Sequence, residues 1–415
     1  KQSHVTGPAP YFRAELAKWL KELFFFFYYR KPNGEKYNIY KDGLKVYTTI
    51  DLDMQIMAEE EMWKHMAKVQ QRFNAVWGTR DQWTYNADDA QKKIRKESLQ
   101  SMVRQTGRYQ AMREERLSAL LEKVNEQHEL MLSDWDIENL LQESQKAGRI
   151  SRLVSGKSIT TDKGKKYKAI MAGDHWDELA SSYKMFQKDI MKEMNTAVEM
   201  LVFDYGAAGE KKVTMTPLDS IKYHRRFMQT GILAIDPKTG EIKTWVGGIN
   251  NKYFQFDHIG SSRQVGSTFK PFVYATAITL QGISPCFPVL DQPYTIAPGD
   301  GSFGVLEPWT PQNADGKFTN RNYTLFEGLK DSRNTISVFL MQQLGNANVV
   351  RGLVHNMGID SSLRRADGEY RVPNQPSICL GSADLSVMEM TGAYCTFANN
   401  GVFVIACADA GIKIA

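Results

Sequence analysis

Apolar and polar positions alternate loosely through "GLKVYTTID", residues 43–51, and β-branched residues are frequent there, a pattern that predicts a strand ending at Asp51. Asp51 then stands where a helix wants its N-cap, and Ile56, Trp63, Met66, Val69 and Phe73 follow at roughly helical spacing. Residues 52–205 keep that helical character in charged form. Runs such as "QKKIRKESLQ" and "AMREERLSALLEKVNEQHEL" hold almost no glycine or proline and read as amphipathic helices with solvated faces. The texture changes near residue 213. "GILAIDPKTGEIKTWVGG" reads as strand, tight turn, strand: Ile232, Ala234 and Asp236 alternate with Leu233 and Ile235, and Pro237 and Gly240 punctuate the turn. "STFKPFVYATAITL" then takes up a helical period. Antiparallel strands followed by a buried helix and further helices predict an α+β fold, an antiparallel sheet with helices packed on it.

One dense apolar run, "LFFFFYY" at 23–29, is far short of the about 20 residues a membrane span needs. It is expected to be a buried or edge strand, with a membrane-surface contact beside Lys21, Arg30 and Lys31 as the other reading. Composition adds bounds. The chain has 415 residues, 42% hydrophobic and 24% charged, enough for two or three domains. Its net charge of +5 is too diffuse to argue for nucleic acid, although an anionic polymer or a membrane surface fits it. Cys286, Cys379, Cys395 and Cys407 form no C-x-x-C pair and are expected to be free buried thiols. The seven histidines never fall at ligand spacing, so neither a metal site nor a cofactor is called for. "SGKS" at 155–158 lacks the earlier glycine of a phosphate loop and is set aside.

The candidate chemistry lies in "RQVGSTFKPF", residues 263–272. Pro271 is comfortable only in a helix's first turn, which sets the helix start close to Ser267. Residues three apart on a helix are neighbours, so the Lys270 amine can reach the Ser267 hydroxyl. A serine is a weak nucleophile until a neighbour takes its proton, and a lysine can do so only when neutral. Burial and the positive end of the helix dipole both disfavour the charged amine, and Phe269 and Phe272 supply apolar surroundings. Gly266 lets a substrate approach closely. Further on, "LKDSRNTIS" presents Ser332 and Asn334 two apart at a helix start, a hydroxyl and an amide that can relay a proton and hold a substrate amide. S-x-x-K with S-x-N is the motif pair of penicillin-binding proteins and class A β-lactamases.

On these residues the chain resembles the transpeptidase region of a class A, bifunctional penicillin-binding protein. "GLKVYTTIDLDMQ" is similar to the family's link into that region, "AIDPKTGEIKTWVGG" to its first hairpin, and "RQVGSTFKPFVYATAI" to its nucleophile helix. "WTPQNADGKF" at 309–318 is similar to its W-x-P-x-N segment, and "LGSADLSVMEMTGAYCTFANNG" at 380–401 to the helix and turn that follow. The charged insert and "MTPLDSIKYHRRFMQTG" look most like Bacteroidetes members. The resemblance implies the penicillin-binding protein/serine β-lactamase-like fold with a long helical insert. It divides the chain into a connecting segment (1–51), a charged helical insert (52–212) and the transpeptidase domain (213–415). It implies that Ser267 attacks the D-Ala-D-Ala bond of a peptidoglycan stem peptide, or a β-lactam, with Lys270 as general base. Ser332 would pass a proton to the leaving nitrogen and Asn334 would hold the acyl donor. It also implies a membrane-anchored parent on the periplasmic side of the inner membrane, with cell-wall synthesis proteins as possible partners.

Two departures accompany the resemblance. The family's glycosyltransferase domain and membrane anchor precede the connecting segment, in which this chain opens at Lys1, so both are expected to be absent from the chain. Lys238–Thr239–Gly240 does spell K-T-G, but it precedes Ser267 and reads as the hairpin turn. The family's third motif lies after "FANNG", where this chain continues "VIACADAGIKIA" and stops. The expectation is an incomplete, weakly active fragment with an unpaired sheet edge. The rival readings are a non-catalytic fragment that binds cell-wall material or partner proteins, and a β-lactamase.

Overall fold

The structure is a computed structural model that describes residues 7–26, 30–206, 208–407 and 409–413. The chain divides into two compact units, one of residues 1–68 and 228–415, the other of residues 69–227.

The first unit opens with α1 (Pro10–Phe26), β1 (Lys45–Thr48) and the start of α2 (Leu52–Trp77). Leu23–Phe26, expected in a strand, lie on α1 instead, and residues 27–29 of that run fall outside the described residues. The apolar residues Phe12, Leu16, Leu20 and Phe24 recur every fourth position, which is a helix stripe; Phe12, Leu20 and Phe24 are buried. Asp51 caps α2 as expected, its carboxylate accepting from Met54 N at 3.0 Å.

The second unit carries the rest of α2, then α3 (Asp89–Arg104), α4 (Gly107–His128), α5 (Asp134–Gln145), α6 (Arg149–Ser155), α7 (Thr161–Ala172) and α8 (Trp176–Met194). A hairpin of β2 (Val198–Phe203) and β3 (Glu210–Met215) follows, then α9 (Pro217–His224). Asp88, Thr106, Ser133 and Thr160 cap four of these helices through their side chains. The expected solvated helices have a core of their own: Leu117, Leu121, Ile137, Leu140, Tyr167 and Phe186 are all buried in one cluster.

Returning to the first unit, β4 (Ile232–Ile235) and β5 (Ile242–Val246) form the expected antiparallel hairpin. The Asp236 carboxylate accepts from Lys238 N and Thr239 N at 2.8 and 3.2 Å, and Gly240 has φ +77°, so Lys238–Gly240 is the turn. After β6 (Arg263–Gln264) come α10 (Lys270–Gln281), β7 (Pro288–Leu290), β8 (Asn322–Thr324), α11 (Leu325–Lys330), α12 (Asn334–Leu344) and α13 (Ala347–Asn356). The described chain closes with β9 (Asp384–Leu385), α14 (Val387–Ala398) and β10 (Asp409–Lys413). α10 and α12 bury Phe272, Val273, Ala277, Ile336, Leu340 and Met341 in the largest core of the unit.

Three expectations change here. The connecting segment is part of the first unit: Phe12 packs on Trp245 with ring centroids 6.0 Å apart, and just past the segment the buried Gln55 amide exchanges two hydrogen bonds with the Trp245 backbone, at 2.7 and 2.9 Å. The boundary near residue 213 moves to 228, because Leu218 and Ile221 of α9 pack on the helical core. The β5 edge is not left bare: Ile242 N donates to Cys407 O at 2.8 Å, Asp51 N donates to Lys243 O at 2.9 Å, and β10 pairs antiparallel with β1. Edge N–H and C=O groups take whatever partners the chain can bring. All four cysteines are free, as expected, but only Cys379 and Cys395 are buried; Cys286 is exposed.

Candidate active site

Ser267 sits on a 3₁₀ turn, Gly266–Phe269, that runs directly into α10, with Lys270 first and Pro271 second in the helix. The turn is held from below. Gly266 N donates to Gly381 O at 2.9 Å and Val265 N to Ala383 O at 3.0 Å. Gly266 adopts φ +57°, the left-handed region that favours glycine, and open space surrounds the place where its Cβ would sit. Its role is therefore conformational as much as one of access. Gly381, at φ +79°, could not carry a Cβ, which would fall inside the Gly266 carbonyl. From α14, Tyr394 donates its hydroxyl to Thr268 O at 2.6 Å and clamps the other side of the turn.

Ser267 faces solvent while Lys270, three residues on, is wholly buried beside Phe269 and Phe272. The Lys270 amine donates to Ser332 O at 2.6 Å, to Asn334 Oδ1 at 2.8 Å and to Ser332 Oγ at 3.2 Å. Two motifs 62 and 64 residues apart in sequence thus meet on one nitrogen. The expected Ser267–Lys270 hydrogen bond is not formed: among the described residues the Ser267 hydroxyl has no partner. Three protein acceptors satisfy the three N–H groups of an ammonium, and a carbonyl and an amide oxygen outcompete a solvated hydroxyl. Burial pushes the Lys270 amine down to about 8, while the Cys379 thiol opposes that and the Arg333 guanidinium adds to it.

The loop that carries Ser332 and Asn334 is fastened by residues that the motifs do not include. Ser332 stands at φ +54°, and Asn334 opens α12. Asn313, from the "WTPQN" segment, accepts from Asn334 N at 2.8 Å and Thr335 N at 3.3 Å, satisfying two of the helix's free donors. Asn334 Nδ2 donates to Gln312 O at 2.8 Å. Behind them the buried Asp291 carboxylate takes Arg333 Nη2 at 2.5 Å, Thr335 Oγ1 at 2.7 Å and Asn313 Nδ2 at 2.9 Å. Burial alone would raise that carboxyl; the bonds from Thr335, Arg333 and Thr319 outweigh it and hold Asp291 far below the usual carboxylate range. Sequence reasoning found the "WTPQN" segment but gave it no task, and it passed over Asp291, Gly381 and Tyr394.

Residues 160–228 match the penicillin-binding protein middle domain and residues 230–407 the penicillin binding protein transpeptidase domain, together more than half of the chain. The chain belongs to the penicillin-binding protein family. Penicillin-binding protein 1A of Neisseria meningitidis is 31% identical over 175 residues, which is 42% of this chain and 20% of that protein. Penicillin-binding protein 1A of Rickettsia conorii is 32% identical over 171 residues, 41% of this chain and again 20% of the relative. The chain thus matches about a fifth of the length of these relatives. The crystal structure of penicillin-binding protein 1A from Haemophilus influenzae aligns with 98% of this chain and 48% of that one, with TM-score 0.50 and 16% identity, a likeness of fold. Ser267, Lys270, Ser332 and Asn334 all lie inside the transpeptidase-domain match, and so do Asp291 and Asn313. The K-T-G at 238–240 also lies inside it, in the hairpin turn. Among the described residues no helix is long and apolar enough to cross a membrane, and no cluster of His, Cys, Asp and Glu could hold a metal ion.

Proposed function

We propose that this chain carries the site of a peptidoglycan D,D-transpeptidase, working through an acyl-enzyme on Ser267 and open to β-lactams at the same atom. The observation that carries the reading is the wholly buried Lys270 amine, held by Ser332 and Asn334 one turn behind a solvent-facing serine. When Lys270 loses its proton it keeps two N–H donors for Ser332 O and Asn334 Oδ1, and its lone pair is free to accept the Ser267 proton. Ser267 Oγ then forms the ester with the penultimate D-alanine carbonyl, and the C–N bond to the terminal residue breaks. The proton returns through Lys270 and Ser332 Oγ to the leaving amine, so free D-alanine departs with its charge balanced. The Ser267 backbone N–H is one donor for the oxyanion. An amine of a neighbouring stem completes the transfer. Asn334 holds the donor's backbone.

The parent of such a site is a class A enzyme of Bacteroidetes type, anchored in the inner membrane, with a glycosyltransferase domain before this region and the site on the periplasmic side. The test is turnover of a stem peptide ending in D-Ala-D-Ala. Release of D-alanine is expected, and its loss in Ser267→Ala. Release that persists in the variant overturns the reading, and rapid hydrolysis of a chromogenic β-lactam points to a β-lactamase instead.

A further inference from the structure

We propose that the buried Arg333–Asp291 pair is a positioning element for the base: it locks the loop that presents Ser332 and Asn334 to Lys270, and it fixes a cation beside the amine. The proposal deepens the reading of Lys270 as general base and rests on it. Arg333 is the middle residue of S-x-N, between the two residues that touch the amine. Its guanidinium donates to Asp291 Oδ2 at 2.5 Å, Asp315 Oδ2 at 3.0 Å and Lys317 O at 3.1 Å. Only 9% of its side chain is exposed, and none of Asp291. A surface ion pair would cost little to lose, whereas a buried one leaves its partner stranded.

Two features make the pair specific to the amine. Asp291 also takes Thr335 Oγ1, Asn313 Nδ2 and both donors of Thr319, so one carboxylate ties the loop, the first turn of α12 and the Asn313 cap together. Ser332, in the left-handed region, needs such bracing on both flanks. The charges around Lys270 are few. Arg333 disfavours the ammonium, and the Cys379 thiol, itself pushed up by burial, is the other titratable neighbour. The helices α11 and α13 also pack on α10, but their ionisable residues Glu327, Lys330, Arg351 and His355 are partly or fully exposed.

The test uses the full chain with Arg333→Met, Arg333→Lys and Asp291→Asn, each checked for cooperative melting. Two midpoints are read: that of the Lys270 amine by NMR of labelled lysine, and that of the pH dependence of acylation by a fluorescent penicillin. Arg333→Met is expected to raise both midpoints, because it removes a like charge from beside the amine. Acylation should rise with pH to a plateau that stays below the parent's, because the loop that Arg333 holds is loosened. Arg333→Lys should keep the parent midpoint. Asp291→Asn should lower the midpoint, because an uncompensated Arg333 remains, and it should also lower the rate at every pH. A folded Arg333→Met protein whose Lys270 midpoint stays put overturns the proposal. A parent chain that titrates as expected yet gains no penicillin overturns the transpeptidase reading and leaves the positioning of Lys270 standing.

Discussion

At the residue scale, Lys270 is the group on which the chemistry turns. With its amine pushed down to about 8, roughly a tenth is neutral at pH 7 and nearly all of it one unit above 8. The sign follows: a base works when deprotonated, so acylation by penicillin should fall about tenfold for each pH unit below 8 and level off above it. A stopped-flow series that stays flat across this range would contradict the assignment. Lys270→Arg should abolish acylation while the protein still folds, since arginine holds its proton at any accessible pH. These residues were legible because each motif is local: Lys270 follows Ser267 by three positions, and Asn334 follows Ser332 by two. Asp291, Gly381 and Tyr394 were not. They reach the site from distant parts of the chain through tertiary side-chain and backbone bonds, and no periodic pattern marks such bonds beforehand.

At the element scale, the site depends on two junctions. The first is the start of α12. Asn313→Ala would leave Asn334 N and Thr335 N without their acceptor and one lone pair of Asp291 without its donor, at a cost of about 1–3 kcal/mol. A thermal melt should show the loss, together with slower acylation as Asn334 drifts. The second is the contact of the nucleophile turn with Gly381. Gly381→Ala forces Gly266 aside, and a misplacement of about 1 Å at a reacting group costs up to about a hundredfold in rate. Acylation measured at a fixed penicillin concentration should fall accordingly, and a rate within threefold of the parent would remove this turn from the account. The hairpin at 232–246 and the helix after Ser267 were readable from period and punctuation. Leu23–Phe26 were misread because six aromatic residues in a row, at 24–29, hide the fourfold stripe of Phe12, Leu16, Leu20 and Phe24 that leads into them.

At the scale of the whole molecule, the charged middle of the chain is a folded unit with a core, not a spacer. Its signal was present in α8, where Leu179, Tyr183, Phe186, Ile190 and Met194 recur at steps of three and four and are all buried. The abundance of Lys, Arg and Glu between those positions masks the stripe when composition is weighed before spacing. Two compact units, each with its own core, predict two unfolding transitions. Leu140→Ala, at a position with no exposed surface, should lower the transition of the helical unit by about 2–5 kcal/mol and leave the other in place. Calorimetry of the parent and the variant checks this, and a single transition shifted as a whole would contradict it.

The most direct test of the central claim is peptide mapping by mass spectrometry after the chain is exposed to penicillin. The account predicts one covalent adduct, the intact penicillin mass added to the peptide that contains "VGSTFK", with fragmentation placing it on Ser267. An adduct on Ser332 or another serine, or no adduct in a protein that melts cooperatively, would contradict it.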